Sequence, residues 1–144
     1  GILSKNAVIE RGEILYDGMD LTKLTEKQFC QIRGKRIAMV FQDPLSALNP
    51  IMKVGKQITE TLRIHQNLSH EEARKSAIEL MGAVGIPEPE KRFNQYPFQF
   101  SGGMRQRIVI VIALACNPEI LICDEPTTAL DVTIQSKILD LIKP

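Results

Sequence analysis

Two short apolar runs interrupt a chain that otherwise has mostly helical spacing. Residues 36–41 (Arg-Ile-Ala-Met-Val-Phe) and 120–123 (Ile-Leu-Ile-Cys) are almost continuously hydrophobic and have the length of strands. Runs of this kind are typical of parallel strands that are buried on both faces. A further short strand is predicted at residues 13–18, where it runs into an Asp-Gly turn. The pattern therefore predicts a sheet built partly from buried parallel strands.

Helical spacing follows each of the first two predicted strands. Thr25 and Gln28 have the relation of a capping box at the start of a helix within residues 24–32. A second helix should bury one face, and a third should begin at Ser69 because acidic residues fill its first turn. The positions predicted to face the core are Ile51, Val54, Ile58 and Leu62 in the second helix, and Ala73, Ala77, Leu80 and Met81 in the third.

Glycine and proline break the helical pattern after residue 84. A polar, proline-containing connection over residues 86–100 leads to an apolar helix that should run from the glycines after Ser101 to Cys116. Another helix is expected over residues 131–142. Strands and helices in this order predict an α/β layered fold with a largely parallel sheet. The helical block that begins at residue 51 should form a lobe of its own.

Composition and charge narrow the classes of function. The 144 residues are 44% hydrophobic and 24% charged, which is ordinary for a globular domain. A net charge of +1 argues against a protein that binds nucleic acid through bulk electrostatics. Cys30, Cys116 and Cys123 match no zinc or disulfide spacing, so a reducing compartment is predicted. Cys116 and Cys123 lie in apolar segments and are expected to be small core residues.

Two adjacent acids, Asp124 and Glu125, follow the apolar run at 120–123. Buried carboxylates are costly unless they are paired or bind a metal, and parallel sheets bind ligands at the carboxyl ends of their strands. One acid could therefore hold Mg²⁺ beside the phosphates of a nucleotide, and the other could accept a proton from an attacking water. The alternative is a solvated strand end that caps the following turn, and the pair alone does not decide between the two.

Ser101, Gly102 and Gly103 stand at the predicted start of the apolar helix. Two glycines let backbone amides approach an anion, and the helix N-terminus adds the positive end of its dipole. Arg105 and Arg107 should keep the surroundings basic. The alternative is a serine N-cap followed by flexible glycines, which occurs in many proteins.

Gln42 follows the apolar run at 36–41. A glutamine there can ligate Mg²⁺ or position a water molecule, and it can also tie the sheet to the loop that follows. The alternative is an ordinary polar residue at the end of a strand, and a single glutamine does not decide between these interpretations.

The order and spacing of four blocks resemble the ATP-binding cassette (ABC) ATPases. The blocks are residues 40–44 (Val-Phe-Gln-Asp-Pro), 100–107 (Phe-Ser-Gly-Gly-Met-Arg-Gln-Arg), 120–126 (Ile-Leu-Ile-Cys-Asp-Glu-Pro) and 127–131 (Thr-Thr-Ala-Leu-Asp). They represent the second two-thirds of such a domain, so the resemblance covers essentially the whole chain. The segments around these blocks are most similar to the ATPase subunits of bacterial dipeptide, oligopeptide and nickel importers.

This resemblance implies a fold class and three segments. The fold would be α/β, a partial P-loop NTPase-type (RecA-like) layered sheet with an inserted α-helical subdomain. Residues 1–50 would supply strands and the Q-loop of the ATPase core, and residues 51–100 the helical subdomain. Residues 101–144 would supply the signature helix, the Walker B strand and the D-loop region of the core.

The resemblance also implies catalytic roles. Gln42 would be the Q-loop glutamine that senses Mg²⁺ and the γ-phosphate. Asp124 would be the Walker B acid that holds Mg²⁺, and Glu125 would be the general base. ATP and Mg²⁺ are the implied cofactors, and the complete protein would be an ABC-type ATPase that couples hydrolysis to transport.

Other residues would act across a dimer. Ser101, Gly102 and Gly103 would form the signature motif, which in this family contacts the γ-phosphate of ATP held by the opposing subunit. Asp131 would belong to the D-loop that crosses the dimer interface. A second ABC ATPase subunit is therefore an implied partner, as a homodimer or a heterodimer.

The remaining implied partners lie in and beyond the membrane. They are integral-membrane permease subunits and, indirectly, an extracytoplasmic solute-binding protein, with no nucleic acid. The protein would lie peripherally on the cytoplasmic face of the inner membrane and energise oligopeptide or dipeptide uptake. Two alternatives stay open, a non-transport ABC-type ATPase and a fragment that docks on a permease without chemistry.

The sequence contains no phosphate-binding loop. Such a loop has the pattern Gly-x-x-x-x-Gly-Lys-Ser/Thr, which neither Gly34-Lys35 nor Gly55-Lys56 fits. In the family this loop precedes the first strand, and a switch histidine follows well after the Walker B acids. The chain is therefore expected to be a fragment that hydrolyses nothing by itself. Phe98 stands where many relatives have a histidine.

Overall fold

The structure of the chain is a computed structural model that describes residues 11–41 and 47–124. Within these residues there are four strands and five α-helices, and short 3-10 turns at Leu21–Lys23 and Pro97–Gln99. In chain order the elements are β1 (Leu15–Tyr16), β2 (Met19–Asp20), α1 (Glu26–Ile32), β3 (Ile37–Val40), α2 (Val54–Gln66), α3 (His70–Ala83), α4 (Pro89–Arg92), α5 (Gly102–Leu114) and β4 (Ile120–Cys123).

A tight hairpin forms the first part of the described chain. β1 and β2 pair antiparallel, and Asp17 and Gly18 join them with φ of 50° and 74°. Both values are left-handed, as a two-residue hairpin turn of type I′ requires, and Asp-Gly suits such a turn because glycine has no Cβ to clash. The strand and turn predicted at residues 13–18 are confirmed, while the returning strand β2 is not evident from the sequence.

Two capping boxes fix helix starts where the sequence predicts them. Thr25 caps α1, since its hydroxyl accepts from the Gln28 N–H at 3.4 Å and Gln28 Oε1 accepts from the Thr25 N–H at 3.0 Å. Ser69 and Glu72 form the same pair of bonds at the start of α3, at 3.3 and 2.9 Å. Hydrogen bonds from the side chain and backbone of Ser69 lower the pKa of Glu72. Each box satisfies two amides that the helix leaves without partners.

The strands β3 and β4 pair in parallel, as predicted. Ile37 lies opposite Ile120 and Val40 lies opposite Cys123. Backbone hydrogen bonds of 2.9 Å continue the ladder at both ends, including one from the Asp124 N–H to the Val40 carbonyl. The two strand ends that carry candidate residues are therefore side by side.

The expected burial of both faces of these strands is wrong within the described part of the chain. Ala38 and Val40 are 6% and 0% exposed, because α2 and α5 pack on their side of the sheet. Met39, Ile120 and Ile122 are exposed. A strand that is covered on one face shows this alternation because successive side chains point to opposite faces.

The helical block follows its predicted pattern with one exception. Of the positions predicted to be buried, Val54, Ile58, Leu62, Ala73, Ala77 and Met81 are at most 1% exposed, and Leu80 is half-buried. Ile51 is 85% exposed, so its predicted burial is wrong. The physical reason is that α2 begins only at Val54, whose N–H donates to the Gln95 carbonyl at 2.9 Å.

One continuous core joins the helical block to the sheet. Its buried side chains come from β3, α2, α3 and α5. The segment boundaries at residues 50 and 100 stay a prediction. No helix within residues 11–41 and 47–124 is long and apolar enough to cross a membrane. The helix predicted at 131–142 lies outside the described residues.

Candidate functional site

Ser101 begins α5 as its N-cap. The Ser101 backbone is extended, with φ −66° and ψ 164°, and its Oγ accepts a hydrogen bond from the Met104 N–H at 3.3 Å. The Arg105 N–H donates to the Ser101 carbonyl at 2.9 Å. The serine cap that the sequence left as one alternative is therefore present. It does not exclude an anion, because a hydroxyl that accepts one hydrogen bond still has a proton to donate.

Gly102 and Gly103 supply the first two amides of α5. Within the described residues neither amide has an acceptor, as expected for the first N–H groups of a helix. Ser101 and Gly102 are exposed, and a Cβ added to Gly102 would meet nothing within 4 Å. An anion can therefore approach these amides at the positive end of the dipole of a 13-residue helix.

Two arginines of α5 bind backbone carbonyls around this helix start. Arg105 Nε donates to the Phe100 carbonyl at 3.0 Å. Arg107 Nε donates to the Gly103 carbonyl at 3.2 Å, and its Nη1 donates to the Gly85 carbonyl at 2.6 Å. Both side chains supply the positive charge that the sequence predicts. Their carbonyl contacts were not predictable, since sequence spacing does not show which tertiary carbonyl an arginine reaches.

The chain that leads into Ser101 is anchored by one aromatic ring and exposes another. Phe100 is 2% exposed, and the Arg92 guanidinium lies 5.8 Å from its ring centroid. Phe98 is 72% exposed and stacks on Tyr96 with ring centroids 5.8 Å apart. A phenyl ring thus faces solvent three residues before Ser101.

Asp124 directly follows β4 at the carboxyl end of the parallel pair. Its N–H donates to the Val40 carbonyl, which fixes the Asp124 backbone beside the end of β3. Its side chain is exposed, as is that of Phe41, which directly follows β3. This edge is where parallel sheets bind ligands. A carboxylate here is open to a cation, and oxygen ligands of this kind suit Mg²⁺.

Three predicted site residues, Gln42, Glu125 and Asp131, lie outside the described residues. Within the described part, no group of three or more His, Cys, Asp or Glu side chains could hold a metal ion. Asp124 is therefore the one predicted Mg²⁺ ligand whose position is described.

A polar cluster ties the opposite end of β4 to the hairpin. Glu119 accepts from the Tyr16 hydroxyl and, at 2.9 Å, from Arg36 Nε. Arg36 Nη2 also lies 3.3 Å from Asp17 Oδ2. The hydrogen bond from Tyr16 and, to a smaller extent, that from Arg36 lower the pKa of Glu119. The Tyr16–Glu119 hydrogen bond also raises the pKa of Tyr16. No signal in the sequence indicates this cluster, which joins positions far apart in the chain.

Comparison with known proteins identifies a family. Residues 1–128 match the family described as ABC transporter. The chain is 63% identical over 134 residues to the oligopeptide transport ATP-binding protein OppD of Bacillus subtilis, covering 93% of this chain and 37% of that protein. It is 58% identical over 144 residues to the oligopeptide transport ATP-binding protein AmiE of Streptococcus pneumoniae, covering 99% and 41%.

A third relative is named for a different peptide class. The dipeptide transport ATP-binding protein DppD of Bacillus subtilis is 54% identical over 138 residues, covering 96% of this chain and 41% of that protein. The chain thus spans 37% to 41% of the length of these three curated relatives. The predicted resemblance to ATPase subunits of peptide importers is confirmed.

Solved structures show the same fold. A dimeric ATP-binding cassette in a post-hydrolysis state, bound to ADP and Pi, superposes with a TM-score of 0.82 at 33% identity. The match covers 92% of this chain and 56% of that one. A second dimeric structure, of a bacterial ABC transporter cassette, has a TM-score of 0.81 at 33% identity and the same coverage of both chains. The predicted α/β fold of the P-loop NTPase type is confirmed.

Proposed function

This chain belongs to the ABC transporter family, and from that membership we propose that it is part of an ATP-hydrolysing subunit of a bacterial peptide importer. Relatives named for oligopeptide and dipeptide transport are 54% to 63% identical to it. The observation that carries the proposal is the start of α5, where Ser101 and Gly102 are exposed and the Gly102 and Gly103 amides have no acceptor within the described residues.

The helix start fits the terminal phosphate of ATP. Phosphate oxygens accept hydrogen bonds, and the Gly102 and Gly103 amides and the Ser101 hydroxyl donate them. A structural relative is a dimer bound to ADP and Pi, which supports a site shared between two subunits. We place these three residues on the γ-phosphate of ATP that a second ATPase subunit holds, with Asp131 in the loop that crosses the interface.

The carboxyl end of the parallel strands β3 and β4 fits the part of an ATPase site where hydrolysis takes place. Asp124 is the proposed Mg²⁺ ligand, and Gln42, which comes two residues after β3 in the sequence, is the second. Mg²⁺, when bound, neutralises charge on the phosphate oxygens. Glu125 is the proposed general base, which takes a proton from the attacking water as the water oxygen bonds to the γ-phosphorus and the bond from that phosphorus to the bridging oxygen breaks, releasing ADP. Gln42 orients that water and links the sheet to the helical block.

This chain holds two half-sites and no phosphate-binding loop. The loop pattern that grips the phosphates is absent from its 144 residues. The isolated chain should therefore neither bind ATP tightly nor hydrolyse it, and both functions belong to the complete subunit. In the complete protein, each ATP would lie between the phosphate loop of one subunit and Ser101, Gly102 and Gly103 of the other.

The proposed assembly is a peripheral subunit on a membrane transporter. It would lie on the cytoplasmic face of the inner membrane, bound to integral-membrane permease subunits and a second ABC ATPase subunit. An extracytoplasmic solute-binding protein would deliver the peptide. Closure of the two ATPase subunits around ATP would drive the permease between inward-facing and outward-facing states.

Glu125→Gln in the complete subunit tests the proposed function. The variant should bind ATP as the wild type does, while turnover falls by about a hundredfold or more, because a general base contributes at least that factor. ATP binding by a fluorescent nucleotide and phosphate release by a coupled assay measure the two quantities. Glu79→Gln is the matched control, since Glu79 is exposed on α3, and it should leave both unchanged.

Two results would contradict this account. Normal turnover by Glu125→Gln would remove Glu125 as the base. A complete wild-type subunit that hydrolyses no ATP, with or without its partners, would refute the proposed function as a whole.

A further inference from the structure

We propose that Arg107 is a positioning residue that makes the start of α5 and the end of α3 move as one unit. Residues Ser101, Gly102 and Gly103 would then follow every displacement of the helical block. This inference rests on the proposed function, because the γ-phosphate contact made by these residues is what Arg107 would position.

The end of α3 presents two backbone carbonyls to a neighbour. Gly85, with φ 74°, turns the chain, and its N–H donates to the Gly82 carbonyl at 2.9 Å. The Ile86 N–H donates back to the Met81 carbonyl at 3.0 Å. These bonds resemble a glycine-based helix C-cap and satisfy carbonyls inside the last turn. The carbonyls of Val84 and Gly85 lie beyond that turn, and they accept hydrogen bonds from a side chain outside α3.

One guanidinium bridges this helix end and the first turn of α5. Arg107 Nη1 lies 2.6 Å from the Gly85 carbonyl oxygen and 3.5 Å from that of Val84. Its Nε donates to the Gly103 carbonyl at 3.2 Å. Arg107 is half-buried and Val84 is 1% exposed. Charge-assisted hydrogen bonds are stronger than neutral ones, and shielding from water strengthens them further.

The residues that would meet the phosphate contribute little side-chain packing at the start of α5. Ser101 and Gly102 are exposed, and glycine has no side chain to pack against a neighbour. The Arg105 side chain donates to the Phe100 carbonyl, so its hydrogen bond stays within the same segment of the chain. Of the two arginines, Arg107 is the one that reaches a different helix.

Arginine is suited to this position by its shape. Its planar guanidinium donates from Nε in one direction and from Nη1 in another, so a single side chain can hold two separate carbonyls. The ammonium of a lysine carries similar charge at one point only. We therefore expect Arg107→Lys to behave more like Arg107→Ala than like the wild type.

The test compares these variants in the complete subunit, in a Glu125→Gln background that keeps ATP intact. Affinity of the single subunit for ATP should be unchanged, because the Arg107 side chain bonds the carbonyls of Gly103, Val84 and Gly85 rather than a proposed ligand of that subunit's own ATP. ATP-dependent association with the second ATPase subunit should weaken about tenfold, the factor expected for a lost charged hydrogen bond. Equilibrium titration and analytical ultracentrifugation measure the two.

The controls separate positioning from folding. Arg63→Ala removes an exposed arginine from α2 and should change neither quantity. If Arg107→Ala does not fold, Arg107→Lys, which keeps the charge and the stem, is compared instead. A lower melting temperature with unchanged association of the folded protein would overturn the inference, since Arg107 would then be purely structural.

A further variant, Ser101→Glu, distinguishes a failure of this inference from a failure of the proposed function. Ser101→Glu places a negative charge where the γ-phosphate should lie and should abolish ATP-dependent association. If Ser101→Glu does so and the Arg107 variants do not, only the positioning role fails. If Ser101→Glu leaves association unchanged, the proposed contact across the dimer fails, and the role of Arg107 fails with it.

Discussion

Burial gives the three cysteines different chemistry. Cys116 is 8% exposed, and desolvation raises the pKa of its thiol to about 11. Cys30 is exposed on α1. The sequence predicts Cys116 and Cys123 as core residues, which is confirmed for Cys116. It is wrong for Cys123 within the described residues, because Cys123 is the last residue of β4 and is exposed there.

Alkylation should therefore distinguish Cys116 from Cys30. With a pKa of about 11, the Cys116 thiol is ionised to only about one part in a thousand near pH 8, and the thiolate is the reactive form. Iodoacetamide should modify Cys30 first, and modification of Cys116 should accelerate as the pH rises toward its pKa. Peptide mass spectrometry over time measures both rates, and equal rates near pH 8 would contradict the burial of Cys116.

Whether the contacts of a residue could be predicted from the sequence depended on how close its partner lies along the chain. Ser69 and Ser101 were recognisable as helix caps because the bonded amide lies three residues along the chain. Arg107 meets Gly85 across 22 positions, and Glu119 meets Tyr16 across 103. Contacts of that span arise only when the core assembles, so no local pattern in the sequence encodes them.

Among the elements, α2 shows a close approach that only glycine permits. The Gly55 N–H donates to the Phe93 carbonyl at 2.9 Å, and a Cβ on Gly55 would lie 2.4 Å from the Phe93 ring. The Arg74 guanidinium lies 5.1 Å from the centroid of the same ring. Phe93 is thus held between the first turn of α2 and a side chain of α3.

Gly55→Ala should destabilise the protein by about 1–3 kcal/mol, the usual cost of forcing extra volume into a packed site. Gly82→Ala is the matched control, because a Cβ there would be 3.9 Å from its nearest neighbour in the same helical block. That substitution should be neutral or stabilising, since alanine favours helix over glycine. Urea denaturation of the complete subunit measures both, and equal effects would refute the close packing of Gly55 against Phe93.

Helix positions were more predictable than helix bounds. The capping boxes and the spacing of small and aliphatic residues located α1, α2 and α3. The exposed Ile51 shows the weakness of periodicity at an end, since it fits the helical spacing but lies before the first turn of α2. The short α4 helix in the connection at 86–100 carries no periodic signal that would predict it.

At the scale of the whole molecule, the structure differs most from the sequence prediction in the exposed apolar face of the described strands β3 and β4. Met39, Phe41, Ile120 and Ile122 are between 39% and 47% exposed. The sequence predicted strands buried on both faces, which is the pattern of a complete parallel sheet. The chain spans 37% to 41% of the length of its curated relatives, so the structure describes only part of the length that such proteins have.

The candidate nucleotide site was also only partly predictable from the sequence. Sequence spacing located the helix start at Ser101 and the strand end at Asp124, and the structure describes both. The roles of Gln42, Glu125 and Asp131 rest on the family pattern and stay predictions. In the proposed shared site, half of the ligands would come from another subunit, and no pattern within this chain specifies them.

The central claim is that Ser101 contributes to ATP hydrolysis beyond capping α5. Ser69 offers a matched comparison, because both serines accept an amide hydrogen bond of 3.3 Å at a helix N-terminus. In the complete assembled ATPase, Ser101→Ala and Ser69→Ala should each cost about 1 kcal/mol of stability.

Steady-state ATP turnover of the two variants is the most direct test. Ser101→Ala should lower turnover about tenfold or more through the lost phosphate contact, while Ser69→Ala leaves turnover at the wild-type rate. Equal turnover by both variants would contradict the assignment of Ser101 to the nucleotide site.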